Sequence, residues 1–320
     1  MHQHLQLDTK GDFLYMNSCT IQTQQMILPF QRVDISDKAW VDRILRLEDS
    51  RSSAWCFANM FFWVDTFRPT VCAKDDRLLS WFDQEGGSFY GYPIGAGDLA
   101  PAILTIEQDA IARGVPFVIR GLTERSKEEL EAAFPGEFDY SQDPNFFDYV
   151  YDIEKLATLV GKKLHAKRNH INRFLENYPD WIFEPITAES LPACLAMAKE
   201  WAKLREDDDL DALNRASKYF DALNLEGGLL RVNGHVVAFT IGEPLNSDTY
   251  IVHFEKAFSD MQGAYPMINR EFARYLQTHR PNIRYVNREE DLGIENLKRA
   301  KQSYYPVFMV EKYHATRKTL

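Results

Sequence analysis

The most informative region for the fold of this chain begins with Glu226-Gly-Gly-Leu-Leu-Arg-Val-Asn-Gly-His-Val-Val-Ala-Phe-Thr-Ile-Gly242. Two apolar-rich segments within it, 228–232 and 235–242, predict β-strands. The residues between them, Asn233 and Gly234, tolerate the positive φ angles that a two-residue hairpin turn requires. The stretch therefore predicts an antiparallel hairpin.

A regular succession of predicted elements follows the hairpin. The glycine turn Gln262-Gly263-Ala264 opens a helix whose apolar side chains share one face. Backbone N–H groups and the helix dipole favour an anion at such a helix start, so these three residues are candidates for binding an anionic donor. The run is completed by a strand at 248–257, the helix at 266–278, a strand at 283–287, a helix at 294–303 and a closing strand at 307–313.

This order of elements resembles the GNAT (general N-acetyltransferase) fold, in which the strands on either side of the glycine turn splay apart and the donor enters the gap. Two segments carry a closer resemblance, Glu290-Asp-Leu-Gly-Ile294 and Ala300-Lys-Gln-Ser-Tyr-Tyr-Pro-Val307. They resemble a bacterial family related to the catalytic C-terminal domain of phosphatidylglycerol lysyltransferase. The resemblance implies an acyl- or aminoacyltransferase.

The sequence of the first half of the chain predicts the same order of strands and helices. A strand at 30–36 and a helix at 37–47 open it, as 183–187 and 190–203 open the second half. The sequence therefore predicts an α+β fold of two tandem GNAT-like units with mixed sheets flanked by helices. The other predicted elements of the first half are strands at 70–74, 77–83 and 88–93, the glycine loop 95–97, a helix at 100–113, a strand at 115–120 and a final segment at 139–152.

The predicted domains are an N-terminal extension at 1–25, a first unit at 26–158, and a second unit with a junction helix at 159–320. The first unit lacks an evident set of carboxylates and tyrosines, so we interpret it as a non-catalytic partner that shapes the acceptor cleft. The aromatic run 55–67 predicts its core. The acidic segment 205–211 predicts a mobile loop near the second site.

Composition narrows the classes of function. A net charge of −10 argues against non-specific binding to DNA. No apolar run approaches the roughly 20 residues that cross a bilayer, and no leader pattern begins the chain, so we expect a cytoplasmic protein. The 4 cysteines lack a C-x-x-C pair and predict buried thiols. His165 and His170 are five positions apart, which suits a metal pair poorly, so no metal site is predicted.

Two side chains of the strand at 248–257 are candidates for general-base catalysis. His253 and Glu255 are two positions apart, so regular strand geometry predicts that they share a face. Burial can move either pKa toward neutrality. The structural alternative is that Glu255 forms an ion pair with Lys256 or with an arginine.

The resemblance implies an acidic residue in this strand and a basic residue three positions later. This chain has His253 and Lys256 at those places, and Pro266 where the resembled domain has an acidic residue after its glycine turn. Arg288 and Asp291 follow the next strand, where groups contact the donor or the acceptor, although Asp291 also suits a helix cap. Lys256, Arg288 and Asp291 join the candidate donor-binding residues.

Tyr304 and Tyr305 follow the last predicted helix. The resemblance to GNAT enzymes implies that a tyrosine here protonates the leaving group, and a phenol can act as such an acid. Ordinary packing of a tyrosine with one outward hydrogen bond is the alternative. The sequence does not decide between the two residues.

The junction helix at 161–178 carries a dense basic cluster in an acidic protein. Lys163, Lys167 and Arg168 are its candidates for contact with phosphates or with a tRNA acceptor stem. The alternative is a solvated helix, or a partner for the acidic residues 206–209.

Direct attack on an activated donor is the leading hypothesis. Glu255 or His253 accepts a proton, backbone N–H groups stabilise the oxyanion, and Tyr304 or Tyr305 assists the leaving group. The family resemblance implies aminoacyl-tRNA as the donor, whereas the GNAT fold implies acyl-CoA. The expected acceptor is an amine or hydroxyl of a small molecule or lipid. No tightly bound cofactor is expected. The alternative is a non-enzymatic protein that senses a metabolite in the same cleft.

Overall fold

The computed structural model describes residues 27–203 and 209–318. The extension predicted at 1–25 and residues 205–208 of the predicted acidic loop lie outside the described residues. The described chain forms two mixed β-sheets flanked by helices, which confirms the predicted α+β class.

The first seven strands belong to the first sheet. They run in the spatial order β1-β2-β3-β4-β6, and β5 pairs with β3. The turn between β2 and β3 is formed by Asp75 and Asp76, whose φ angles are both positive at 50° and 58°. The seven strands are β1 (Gln31–Arg32), β2 (Pro69–Lys74), β3 (Arg77–Gln84), β4 (Gly87–Gly91), β5 (Ile94–Gly95), β6 (Val118–Leu122) and β7 (Phe138–Gln142).

The hairpin predicted from the opening stretch lies in the second sheet and is confirmed. Val232 pairs with His235, and the turn residues Asn233 and Gly234 have φ angles of 50° and 76°. These angles are those that the sequence Asn-Gly favours in a two-residue turn. The remaining strands are β8 (Asp148–Asp152), β9 (Ile182–Pro185), β10 (Glu226–Val232), β11 (His235–Pro244), β12 (Thr249–Ala257), β13 (Tyr285–Asn287), β14 (Phe308–Val310) and β15 (Tyr313–Arg317).

The two sheets exchange strands. β8, from the first half of the sequence, lies between β13 and β14 in the second sheet, and β15, from the end of the chain, lies between β6 and β7 in the first. The single closing strand predicted at 307–313 is therefore wrong, because Glu311 and Lys312 carry the chain from one sheet to the other. The segment predicted at 139–152 is divided in the same way. Neither sheet is completed by one half of the chain alone.

Helices cover both sheets. Met267, Ile268, Phe272 and Leu276 are buried on α9, which confirms the predicted apolar face. Helices α5, α6 and α9 pack in the core of the second sheet, whereas α7 and α8 pack in the core that also includes the first sheet. The α-helices of the described residues are α1 (Lys38–Leu45), α2 (Phe57–Phe62), α3 (Leu99–Arg113), α4 (Glu124–Ala133), α5 (Ile153–Thr158), α6 (His165–Asn177), α7 (Leu191–Lys203), α8 (Leu210–Lys218), α9 (Ala264–His279) and α10 (Glu295–Gln302).

Each sheet contains a parallel strand pair that separates after a few residues. β12 pairs with β13 only from Thr249 to Ile251, and residues 252–257 continue beyond that pairing. In the first sheet, β4 pairs with β6 only at Tyr90 and Gly91. We call these two gaps the second splay and the first splay. The predicted separation of the strands around the glycine turn is thus present.

Candidate functional site

The second splay holds a buried ion pair. The Arg288 Nη2 atom donates to Glu255 Oε1 at 2.8 Å, and the two side chains are only 14% and 8% exposed. On the opposite side of the carboxylate, Asn269 Nδ2 on α9 donates to Glu255 Oε2 at 3.2 Å. The arginine partner that the structural alternative anticipated for Glu255 is thus Arg288, and it lies in the gap rather than outside it.

An aromatic ring and a lysine complete this cluster. The Tyr304 ring is 5.1 Å from the Arg288 guanidinium carbon and 4.0 Å from Lys167 Nζ on α6. Burial, with a smaller contribution from Arg288, lowers the pKa of Lys167 to about 8. Burial also raises the pKa of the Tyr304 phenol, which therefore stays protonated at neutral pH. The cluster combines an amine that can accept a proton with a phenol that can donate one.

Two buried polar atoms of the cluster have no hydrogen-bond partner among the described residues. They are Arg288 Nη1 and Asn269 Oδ1, a donor and an acceptor. Buried polar groups in native proteins are almost always paired, so an unpaired donor and acceptor flanking one carboxylate indicate a place for a polar ligand. No sequence pattern pointed to Asn269, because its contact with Glu255 depends on the way α9 packs across β12.

The segment from Arg288 to Asp291 separates the second splay from the interior of the molecule. Buried Lys301 on α10 fixes it by donating to the carbonyl oxygens of Arg288, at 2.7 Å, and of Glu290. Glu289 has a positive φ of 55°, so consecutive side chains point in different directions. Their hydrogen-bond partners outside the second splay are Asn59 and His253 for Glu289, Ser53 and Lys312 for Glu290, and Tyr149 for Asp291.

His253 does not lie beside Glu255, and the prediction that the two share a face is wrong. A β-bulge explains the difference: Gly242 pairs with Val252 but the adjacent Ile241 pairs with Phe254, so His253 is an extra residue that interrupts the alternation. Its ring nitrogens instead face Glu289, 2.9 Å from Nδ1, and Glu243, 3.4 Å from Nε2. The general-base pair is not formed.

The glycine turn is needed for helix packing. A Cβ atom on Gly263 would lie 2.1 Å from the His170 carbonyl oxygen of α6. The Ala264 N–H donates to Met261, and Pro266 has no N–H to offer. Few backbone donors at the start of α9 therefore remain for an anion, and Gln262 is exposed beside them.

Lys256 lies outside the second splay. Its buried Nζ atom is 2.9 Å from Asp209 Oδ1 and 3.9 Å from the centroid of the Trp201 ring. Asp209 is also the one described member of the acidic group 206–209, and it forms an ion pair with Lys256.

Asp291 is a buried structural group in this arrangement. It accepts a hydrogen bond from the Tyr149 phenol at 2.6 Å and one from the Gly293 N–H at 2.8 Å. The N-cap residue of α10 is Ile294, so Asp291 stabilises the turn before that helix and does not cap it.

The remaining predicted residues divide between the cluster and the surface. Tyr305 is 46% exposed and its ring lies 5.1 Å from Lys163 Nζ, so of the two tyrosines Tyr304 is the one in the cluster. Arg168 donates to the carbonyl oxygens of Leu159 and Gly161, and so it fixes the loop that leads into α6.

The first splay opens into a cavity of about 320 Å³ that the sequence did not predict as a binding site. Aromatic side chains dominate its wall. The aromatic run 55–67 supplies some of these wall residues, and its other members belong to the core. The apolar wall includes Trp55, Met60, Trp63, Leu78, Phe82 and Phe89.

The other wall of this cavity is charged and includes Arg120, Glu289, Glu290 and Lys312. Lys312 Nζ contacts Asp148 Oδ1 at 2.6 Å, Ser53 Oγ at 2.8 Å and Glu290 Oε2 at 3.2 Å. Asp148 begins β8 and Lys312 precedes β15, so this network joins the two places where the chain crosses between sheets. Arg120 Nε is buried without a hydrogen-bond partner among the described residues.

The two mixed sheets flanked by helices, with a splayed parallel strand pair in each, show a GNAT-like α+β fold. The chain belongs to the family described as phosphatidylglycerol lysyltransferase, C-terminal, whose pattern matches residues 45–316. The predicted family resemblance is confirmed.

Solved structures share the fold of this chain. A conserved protein of unknown function from Bacteroides thetaiotaomicron VPI-5482 is 39% identical, with a TM-score of 0.85 over 92% of this chain and 100% of that one. L-PGS from Bacillus licheniformis is 15% identical, with a TM-score of 0.64 over 92% of this chain and 95% of that one, and it shows the shared fold.

A curated relative, an uncharacterized protein of Mycoplasmoides gallisepticum, is 24% identical over 205 residues. The match covers 61% of this chain and 63% of the relative, so the chain spans less than two thirds of that protein. None of the described helices combines the length and the apolar character needed to cross a bilayer.

Proposed function

We propose that the chain transfers an aminoacyl group from aminoacyl-tRNA to the amine or hydroxyl of an acceptor that has an apolar part. The observation that carries this proposal is the unpaired donor and acceptor beside Glu255 in the second splay. An aminoacyl ester offers complementary groups. Its carbonyl oxygen accepts from Arg288 Nη1, and its α-ammonium donates to Glu255 and to Asn269 Oδ1.

The same residues supply the chemistry. The acceptor nucleophile attacks the ester carbon and its proton passes to the neutral amine of Lys167, whose pKa near 8 suits a general base. Arg288 stabilises the oxyanion that forms. The bond between the carbonyl carbon and the ribose oxygen then breaks, and the Tyr304 phenol protonates that oxygen.

Charge and packing favour tRNA over CoA as the carrier. The start of α9, where CoA would place its pyrophosphate in a GNAT fold, is packed against α6 and offers few N–H groups. The surface of α6 is basic instead, and Lys162, Lys163, His170 and Arg173 are exposed on it or immediately before it. Such a surface suits the phosphates of a tRNA acceptor stem.

The apolar cavity of the first splay is the proposed acceptor site. Its aromatic wall suits a hydrocarbon or ring system, and Arg120 Nε offers an unpaired donor for an acceptor oxygen. The family description names a lysyltransferase, but His253 and Pro266 stand where the resembled domain has acidic residues. The identity of the transferred amino acid is therefore to be measured.

The test uses total tRNA charged with a mixture of radiolabelled amino acids. The protein is incubated with this tRNA and a bacterial extract of lipids and small metabolites, and label is counted in tRNA, lipid and small-molecule fractions. We expect label to leave tRNA and enter one of the other fractions, and Glu255→Gln to abolish this. Arg299→Met, a change at a side chain that is 70% exposed on α10, is the control.

Acetyl-CoA and other acyl-CoA donors are tested in parallel by release of the free thiol. Thiol release that depends on Glu255, with no loss of label from tRNA, would contradict the proposed donor. Tight binding of a small molecule without turnover of any donor would favour the metabolite-sensing alternative.

A further inference from the structure

A second buried cluster lies between the two units and has no part in the proposed reaction. Cys56, just before α2, Glu243 on β11 and His253 on β12 each direct one ligand-type atom to a common point, and these atoms all lie within 4.8 Å of one another. The Cys56 Sγ to Glu243 Oε1 distance is 3.2 Å and the His253 Nε2 to Glu243 Oε1 distance is 3.4 Å.

We propose that Cys56, Glu243 and His253 bind a zinc ion. Zinc takes thiolate, imidazole and carboxylate ligands at about 2.0–2.3 Å in a tetrahedron, whose edges are then about 3.3–3.7 Å long. The two measured separations are near these edges. One thiolate and one carboxylate also neutralise the charge of the ion, which favours its burial.

The surroundings of His253 match those of a metal-bound histidine. Its other nitrogen, Nδ1, is 2.9 Å from Glu289 Oε1, and Asn59 Nδ2 donates to the same oxygen at 3.0 Å. A carboxylate that receives the second N–H of a histidine fixes the ring and selects the tautomer that leaves Nε2 free for the metal.

A fourth coordination position has access to solvent. A separate cavity of about 200 Å³ is lined by Cys56, Glu243 and Lys38, and it can hold a water molecule that completes the tetrahedron. Lys38 Nζ is 3.8 Å from the second oxygen of Glu243. The site would fasten the segment that carries Trp55 and Met60, part of the acceptor cavity wall, to the second sheet.

A proton is the competing occupant. Without zinc, burial opposes a charge on His253, but hydrogen bonds to Cys56, Glu243 and Glu289 outweigh burial and raise its pKa. The two occupants differ in the state of the sulfur, which is a thiolate beside zinc and a thiol beside the imidazolium.

Metal content distinguishes the two. The full chain is produced with added zinc, dialysed against buffer without chelator and analysed for metals. We expect about one zinc ion per wild-type chain and a loss of most of it in Cys56→Ala. Cys72→Ala removes a buried thiol elsewhere and retains the metal. Wild-type protein without bound zinc, or Cys56→Ala that retains it, would overturn the proposal.

Cobalt provides a test that needs no variant, in case Cys56→Ala fails to fold. Wild-type protein stripped of metal is titrated with cobalt chloride and followed by absorption spectroscopy. We expect thiolate-to-cobalt charge-transfer bands and the visible bands of a tetrahedral ion. Cobalt that binds without a charge-transfer band would exclude Cys56 as a ligand. If no cobalt binds, the metal proposal is wrong and a proton on His253 is the occupant of the site.

Discussion

The first and second splays share strand geometry and differ in lining. In each, a parallel pair separates after two or three residue pairs. The second is lined by the Arg288–Glu255 ion pair and Tyr304, whereas the first is an aromatic-walled cavity in which the Phe82 and Phe89 rings stack at 4.6 Å. The fold therefore supplies an opening in each sheet, and the side chains decide whether that opening suits a charged or an apolar ligand.

The exchanged strands set the two splays in a fixed relation. Because β8 and β15 each complete the other half's sheet, neither opening can move as an independent domain. The proposed transfer reaction needs donor and acceptor held in one geometry, and a shared framework would provide it.

The largest effect is expected on stability, from a substitution in the charge network that joins the two strand crossings. Lys312→Met removes the charge that pairs with Asp148 and Glu290 and leaves the buried Asp148 carboxylate without its cation, which should lower the free energy of unfolding by about 3–5 kcal/mol. Urea denaturation followed by fluorescence and circular dichroism measures it. Lys318→Met, at a side chain that is 44% exposed, is the control. A loss below about 1 kcal/mol, typical of surface pairs, would show that the crossings are not coupled through this network.

The next largest effect is expected from a substitution in the proposed donor site of the second splay. Arg288→Met removes the proposed oxyanion donor, and the single-turnover rate of aminoacyl transfer should fall by about 10²–10³-fold. Arg299→Met should leave the rate unchanged. If Arg288→Met weakens only the binding of the donor and spares the rate, the guanidinium positions the aminoacyl group and does not stabilise the transition state.

The pH dependence of transfer tests Lys167. Because its pKa is lowered to about 8, the neutral amine becomes more abundant as pH rises through that value, and the rate should rise with it. Lys167→Arg stays protonated, so it should lose this dependence and react about 10²-fold more slowly at pH 8. Lys163→Arg, a change at an exposed neighbour before α6, should retain the wild-type profile. An unchanged profile in Lys167→Arg would assign the base to another group.

Local patterns predicted most of the fold. Asn233-Gly234 specified its hairpin, and the period of apolar residues located α9, because both signals depend on neighbours in sequence. The exchange of β8 and β15 was missed, since it requires pairing between residues far apart, such as Val150 with Asn287. No local pattern in the sequence reports which of two sheets a strand joins.

The site was predicted in part for the same reason. Glu255, Arg288 and Tyr304 were candidates for the site and Lys167 only for contact with phosphates or tRNA, and the structure brings all four together. The shared face of His253 and Glu255 failed because one bulged residue reverses the alternation on which the prediction depended. The cluster around Cys56 and the charged cavity wall were not foreseen, because their members meet only when the two halves of the chain pack together.

The smallest effect is expected on the acceptor side. Phe82→Gln keeps the length of a wall side chain but replaces about 50 Å² of apolar contact, so at about 25 cal/mol per Å² the KM for an apolar acceptor should rise about tenfold. Hydrolysis of the donor in the absence of acceptor should be unaffected, since Phe82 lies in the first splay and Arg288 in the second. Ile111→Gln, at an exposed position of α3, is the matched control. An equal loss in donor hydrolysis would mean that the donor and the acceptor do not bind in separate splays. The difference in lining would then not explain the roles proposed for the two splays.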